Sequence, residues 1–232
     1  MGELLEYIEK NLLTKQEKFC SIPEAEVSIT WPPDTPKPFI RQYRIPQKWH
    51  DYVTTTVQSW FNEGIIESAD FGCQVNNPLL TAPKKETDGS VSTSRCRVCI
   101  DIRAVNKKLL ENDRFPLPII EEIFELLSGS TVFSIIDLDA AYNRFPIRKE
   151  DRHLTAFTWN HTQYQFAGSP FGLRHLPGHF QRVMSSILGE FSQFYIDDII
   201  IFSRSIEEHI RHVLTILNVL TKFSLPISSQ KS

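Results

Sequence analysis

Two adjacent carboxylates, Asp197 and Asp198, sit inside the apolar run Phe191-Ser-Gln-Phe-Tyr-Ile-Asp-Asp-Ile-Ile-Ile-Phe202. β-Branched and aromatic residues flank the pair on both sides, a pattern that reads as strand, tight turn, strand. Asp tolerates turn geometry, so both side chains are expected at the hairpin tip, where water and metal can reach them. Upstream, Thr131-Val-Phe-Ser-Ile-Ile-Asp137-Leu-Asp139 brings another carboxylate to the end of a buried-looking strand. Clustered carboxylates repel, and a divalent cation is their natural compensation. Magnesium accepts a few carboxylates together with substrate phosphates, and two such ions clamp an in-line phosphoryl displacement. That is polymerase-type chemistry. An Asp-Asp pair is also an ordinary hairpin turn, so the weight falls on what surrounds it.

Other constellations carry less. Cys96-Arg-Val-Cys99 has the spacing of half a zinc site, but no second Cys/His pair lies at a matching distance. Arg97-Val-Cys-Ile-Asp101 alternates like a strand, on which positions three apart face opposite ways and cannot grip one metal. These cysteines read as structural. His175 and His179 have i, i+4 spacing, but Pro177 and Gly178 lie between them and place the pair across a helix start. His209 and His212 fall on a helix expected to be mostly solvated.

The 232 residues suffice for one large domain or two small ones, and an apolar share of 41% with sixteen Phe supports a real core. Net charge is −3, so no global basic field advertises nucleic acid. Locally the balance differs: Lys84 to Arg114 holds eight Lys/Arg against five acids. Four cysteines without a secretory leader fit a reducing compartment. No apolar run approaches ~20 residues, so the expectation is an intracellular chain, cytoplasmic or nuclear, with no membrane partner.

The elements that must position these residues follow from period and punctuation. Met1 to about Lys18 reads as an amphipathic helix, followed by the extended connector Trp31-Pro-Pro-Asp-Thr-Pro-Lys-Pro38. A helix is expected from Gln47 to Glu63, stopped by Gly64, with Trp49, Val53, Val57, Trp60 and Phe61 on one face. Short strands follow at 64–67 and 78–81, and a polar loop, 86–94, separates them from a strand at 96–102. Pro116 to Leu127 reads as a helix with Ile119, Ile120, Ile123, Phe124 and Leu127 on its apolar side. Phe157-Thr-Trp and Gln163-Tyr-Gln-Phe166 form a hairpin across Asn160-His161, and Pro177 to Leu188 is helical. Ser205-Ile-Glu-Glu208 is a capping box opening a last helix, whose apolar stripe is Ile206, Ile210, Val213, Leu217 and Leu220. Helices and an antiparallel sheet segregate, so the fold class is α+β.

Read in order, several segments resemble the reverse transcriptases of gypsy-type LTR retrotransposons and, more distantly, of retroviruses. They are Lys84-Lys85, Arg97-Val-Cys-Ile-Asp-Ile-Arg-Ala-Val-Asn-Lys107, Arg114-Phe-Pro-Leu-Pro118, Phe133-Ser-Ile-Ile-Asp-Leu138, Tyr142, Ser169-Pro-Phe-Gly-Leu173, Phe180-Gln181 and Tyr195-Ile-Asp-Asp-Ile-Ile-Ile-Phe-Ser203. No single segment is specific; their order and spacing are. The resemblance covers roughly residues 25 to 231.

The resemblance implies a right-hand polymerase architecture of fingers and palm. Residues 1–24 would be an N-terminal helix and linker and 25–130 mainly fingers. Residues 131–232 would be mainly palm, with a fingers hairpin at about 155–168. Asp137, Asp197 and Asp198 match the catalytic carboxylates and metal ligands: Asp137 and Asp197 would bridge or hold two magnesium ions, for which manganese can substitute, while Asp198 lies beside them and supports. The reaction implied is RNA-directed DNA synthesis, nucleotidyl transfer from a dNTP to a primer 3′-hydroxyl on an RNA or DNA template. Lys84 and Arg97 match the fingers residues that grip the triphosphate, with Lys85 as the alternative to Lys84. Physics agrees, since Arg forks onto phosphate oxygens and Lys acts as a point charge. Tyr142 matches the aromatic under the deoxyribose, where a bulky ring excludes a 2′-hydroxyl; a buried core tyrosine is the plainer reading. Phe171-Gly172 matches the turn bordering the nucleotide pocket, where Gly lets the backbone come close. Arg103, Lys107 and Lys108 read equally as template-phosphate contacts or as solvated charges. The family does not use the position of Asp139 as a ligand.

Departures from the family pattern are local. The polar run 88–94 makes the fingers loop longer, Arg174-His-Leu-Pro-Gly-His179 replaces the usual Asn-Ala-Pro-Ala-Thr, and Asn143-Arg144 stand where His-Gln is common. The family pattern continues beyond Ser232 into a primer-gripping hairpin, thumb and RNase H, and other polyprotein parts are implied partners. The rival reading is a truncated or domesticated remnant that binds nucleic acid or a partner without polymerising. The near-neutral charge and the absence of a thumb within these residues favour that rival, and the intact Asp137, Asp197 and Asp198 oppose it. A nucleotidyl cyclase would need a Gly-rich signature that is not present.

Overall fold

Alternation of buried and outward residues builds the sheet that carries the acidic positions. In β4 (Val132–Asp137), β7 (Ser192–Tyr195) and β8 (Asp198–Ser203), every second residue turns to a covered face. The strands are antiparallel in the order β4-β8-β7. The computed structural model describes residues 17–85, 89–110, 115–116, 118–195 and 198–228, without the side chains of 85, 93 and 94. It divides into two compact units: unit 1 is Met1–Ala25, Asp113–Phe145 and Pro177–Ser232, and unit 2 is Glu26–Asn112 and Pro146–Leu176. The helix expected over residues 1–18 falls almost wholly outside the described residues.

In unit 1, Ile136, Ile199, Ile201 and Phe194 form the covered sheet face, none more than 6% exposed. Helix α4 (Leu176–Ile187) meets it through Phe180, whose ring lies 5.2 Å from that of Phe194, and through Gln181, whose Nε2 donates to the Phe194 carbonyl. Helix α5 (Ile206–Lys222) covers the rest. Ser205 caps it as the sequence predicts, with the Glu208 amide donating to Ser205 Oγ (3.2 Å), whereas the Glu208 carboxylate accepts from the Arg204 amide (2.8 Å), one residue before the cap. On the opposite face, Phe133 and Ile135 are largely exposed.

Unit 2 holds a hairpin, β2 (Leu79–Lys85) with β3 (Val91–Ile100), and a three-stranded sheet ordered β1-β6-β5. That sheet consists of β1 (Ile66–Ser68), β5 (Phe157–Trp159) and β6 (Thr162–Phe166). Asn160 and His161, both at positive φ (46° and 64°), close the β5–β6 turn in the conformation that matches strand twist. Helix α1 (Gln47–Asn62) buries Trp49, Val53 and Val57, and Gly64 at φ 63° ends it as expected.

Four expectations are corrected. Strand β3 begins at Val91, inside the run read as a polar loop, because Ser and Thr residues pair well enough once β2 supplies a ladder. A short helix, α2 (Arg103–Lys108), follows β3 where none was expected. Helix α3 (Ile120–Leu127) starts after Pro116 and Pro118 and buries only Ile123, leaving Ile119, Ile120 and Phe124 at least half exposed. The fourth concerns α5, which turns His209 inward rather than to solvent.

His209 is 7% exposed. Its Nε2 lies 2.8 Å from Ser134 Oγ on β4, and its Nδ1 lies 2.9 Å from Ser203 Oγ on β8. Ser203 Oγ also meets His212 Nδ1 at 2.8 Å, and the His212 ring stacks on Phe191 at 4.0 Å. Burial, and then the neighbouring charge of His212, push His209 below its ordinary pKa. The unfolded chain therefore binds this proton more readily than the folded one. The stability at stake is present above the unfolded value of about 6.5 and is lost as pH falls from there toward the folded value. The melting temperature should decline between pH 7.5 and 5, and His209→Gln should flatten that decline. An equal slope in the variant would locate the titration elsewhere, with His153 of unit 2, also lowered by burial, the next group to test.

Candidate active site

Strand register decides which acids meet. The β4–β8 ladder runs from Val132 opposite Ser203 to Asp137 opposite Asp198, and the β7–β8 ladder ends with Tyr195 opposite Asp198. Directly opposed residues share a face, with Cβ atoms about 4.5–5.5 Å apart. Ile136 and Ile199 are opposed on the buried side, so Asp137 and Asp198 turn to the other face, and Asp198 is exposed. Asp197, with Ile196, lies outside the described residues. Strand β4 stops at Asp137, so Asp139 does not continue its face: its carboxylate pairs with Arg144 at 3.3 Å, and its amide donates to the Pro226 carbonyl.

The opposed pair suits a hard divalent cation. It offers carboxylate oxygens only, and like charges directly across a ladder destabilise it until something positive intervenes. Among the described residues no group of three His, Cys, Asp or Glu gathers around a metal-sized site; the third expected ligand is Asp197. Cys96 and Cys99 stand three residues apart on strand β3, so they face opposite sides of it. Burial pushes both thiols up.

Tyr142 follows the same strand end. Ala140 takes a left-handed conformation (φ 50°, ψ 41°), rare for a residue with a Cβ, and turns the chain into the short helical segment Ala141–Arg144. Tyr142 is 7% exposed and stands edge-on to Phe180, ring centroids 5.1 Å apart.

The remaining expected residues belong to unit 2. Arg97 is opposite Ala82, two residues before Lys84, and both cations are exposed. A register shift between Pro83 and Lys85 falls at Lys84. Phe171 is 50% exposed, and Gly172 adopts φ +100°, which favours glycine.

Two residues gain a role that sequence reading missed. Asp101, 5% exposed, receives Arg103 Nε (2.8 Å) and Nη2 (2.6 Å) as well as Tyr43 Oη (3.0 Å). The hydrogen-bonding Arg103 side chain holds the Asp101 carboxyl down to about 2. Arg103 is thus an anchored cation and not merely a solvated one. Asn106, one turn later on α2, bonds the segment after Phe171. Neither signal is local in sequence, apart from the Asp101-x-Arg103 spacing.

Comparison with known proteins identifies the family. Residues 82–232 match the family model for reverse transcriptase (RNA-dependent DNA polymerase). The chain is 33% identical over 186 residues to the retrovirus-related Pol polyprotein from transposon gypsy of Drosophila melanogaster, spanning 78% of this chain and 18% of that protein. It is 32% identical over 197 residues to the transposon Tf2-3 polyprotein of Schizosaccharomyces pombe, spanning 83% of this chain and 14% of that one. The chain therefore covers a small part of these relatives' length. Among solved structures, foamy viral protease-reverse transcriptase in complex with RNA/DNA hybrid superposes with a TM-score of 0.79 at 23% identity, over 99% of this chain and 30% of the other. The native prototype foamy virus protein superposes at 0.80, over 98% and 30%. Their fold is the α+β polymerase fold seen here. With retrotransposon polyproteins as its curated relatives, this chain belongs to the reverse transcriptase (RNA-dependent DNA polymerase) family.

Proposed function

We propose that this chain is the fingers–palm portion of an RNA-directed DNA polymerase, extending a primer on an RNA or DNA template with dNTPs. The observation that carries the proposal is the direct cross-strand pairing of Asp137 with Asp198 on the uncovered side of the unit 1 sheet. Residues 25–130 serve mainly as fingers and 131–232 mainly as palm, with a fingers hairpin at about 155–168. Asp137 and Asp197, with Asp198 beside them, would hold two divalent cations, which when bound would supply activation of a primer 3′-hydroxyl and charge neutralisation at the triphosphate. Lys84 and Arg97, both exposed on the same hairpin, donate to the triphosphate oxygens. Tyr142 lies under the sugar, and the Phe171–Gly172 turn borders the base. Family relatives whose structures hold duplexes support a primer–template as the partner.

The test is magnesium-dependent extension of a primed RNA, using the chain joined in frame to the segments that follow it in a gypsy relative. Labelled primer should lengthen with dNTPs and stop on chelation. Primer–template binding without extension would move the assignment to the non-polymerising remnant.

Tyr142→Ala in the same protein should raise rNTP incorporation relative to dNTP by about tenfold, because removing the ring opens space for a 2′-hydroxyl; one order of magnitude is about 1.4 kcal/mol of discrimination. Unchanged sugar selectivity with a lowered melting temperature would mark Tyr142 as a core residue only.

A further inference from the structure

The segment after Phe171 is tied to α2 and to Leu109 just past its end by three hydrogen bonds within unit 2. Asn106 Nδ2 donates to the Gly172 carbonyl (2.6 Å), the Arg174 amide donates to Asn106 Oδ1 (2.9 Å), and Arg174 Nη2 donates to the Leu109 carbonyl (2.8 Å). One side-chain amide thus satisfies a donor and an acceptor two residues apart, as a neighbouring strand would. Helix α2 is itself fixed at its start, where Asp101 accepts the Arg103 amide (3.2 Å) and fork-binds its guanidinium. Leu173 is buried and anchors the turn from below, whereas Phe171 stays half exposed above it. Gly172 at φ +100° leaves this backbone with conformational freedom that contacts must remove.

We propose that Asn106 is a positioning residue for the nucleotide pocket: it clamps the Gly172 carbonyl and the Arg174 amide so that the Phe171–Gly172 turn is preset before the dNTP arrives. The role of that turn rests on the polymerase reading above. Asn is the residue type the geometry needs. A carboxylate keeps an acceptor for Arg174 but sets a second oxygen against the Gly172 carbonyl, and alanine serves neither. Asn106 touches no reacting atom; its effect reaches the substrate through the turn, so ordering is completed in advance and not drawn from binding energy.

Two readouts test this. Amide exchange of Arg174, followed by NMR or mass spectrometry on the 232-residue chain, should accelerate by about tenfold in Asn106→Ala and stay near wild type in Asn106→Asp, which keeps the acceptor. In single-nucleotide incorporation by the extended protein, both variants should raise the dNTP KM by about tenfold, with kcat within about twofold and primer–template affinity unchanged. A merely structural role would instead lower the melting temperature and weaken both substrates together. Unchanged Arg174 exchange in Asn106→Ala overturns the clamp. Equal shifts in dNTP and primer–template affinity overturn its purpose. If the wild-type protein fails to extend at all, the polymerase reading falls and the nucleotide half of the inference with it, while exchange still decides the clamp.

Discussion

Asp137→Asn should reduce magnesium-dependent primer extension by on the order of 10³-fold or more, while leaving the fold as stable as before or slightly more so. Metal-held charge stabilisation is worth several kcal/mol in the transition state, and each 1.36 kcal/mol is tenfold in rate. The stability half follows from register. Asp137 and Asp198 are directly opposed on antiparallel strands, and like charges so placed repel by a few tenths of a kcal/mol or more. An amide removes that repulsion and retains hydrogen-bonding capacity. Asp198→Asn should behave in the same way from the other strand, and the double variant should cost little further activity, because both residues serve one site. Opposite signs for activity and stability are what a functional charge pair produces and a structural one does not. A fall in both, measured by thermal melting beside extension, would mean that the carboxylates support the sheet and not the chemistry.

Much of the fold around the acidic pair is legible in the sequence. The β-branched runs around Asp137 and Asp198 specify strands, Asn160-His161 specifies a hairpin, and Ser205 with Glu208 specifies a cap. These are local rules acting over a few residues. What could not be read depends on partners distant in sequence. No local pattern says that Asp137 pairs with Asp198 and not with another strand residue. His209 looked solvated because a polar side chain on an amphipathic helix is read outward, whereas two serines on the sheet make an inward imidazole tolerable. The apolar stripe of α3 marks amphipathicity, but not whether anything covers it, and Ile120 and Phe124 are exposed. Asn106 bonds Gly172 across 66 positions, and a lone Asn carries no signature for that.

Phe180→Ala should destabilise the protein by about 3–5 kcal/mol, the range for emptying a fully buried aromatic site. Phe180 has no exposed surface, and its ring lies 4.4 Å from Phe145, 5.1 Å from Tyr142 and 5.2 Å from Phe194. It therefore joins helix α4, the segment bearing Tyr142 and the strand leading to the acidic hairpin. Removing it opens a cavity among three rings, Tyr142 edge-on and Phe145 and Phe194 tilted, and such aromatic contacts also contribute roughly 0.5–1.5 kcal/mol each. Against a typical total of 5–15 kcal/mol, the loss would leave a marginal fold, with a melting temperature lower by roughly 6–20 °C. Phe180→Leu retains most of the buried volume and should lose considerably less, so it separates packing from function. In that variant the edge support of Tyr142 is gone although the fold persists, and the ratio of rNTP to dNTP incorporation should rise. Denaturant unfolding supplies the first number and single-nucleotide incorporation the second. A loss below about 1.5 kcal/mol for Phe180→Ala, within the range of tolerated volume-conserving swaps, would show that the site collapses around the missing ring and that the cluster is not what holds Tyr142 in place.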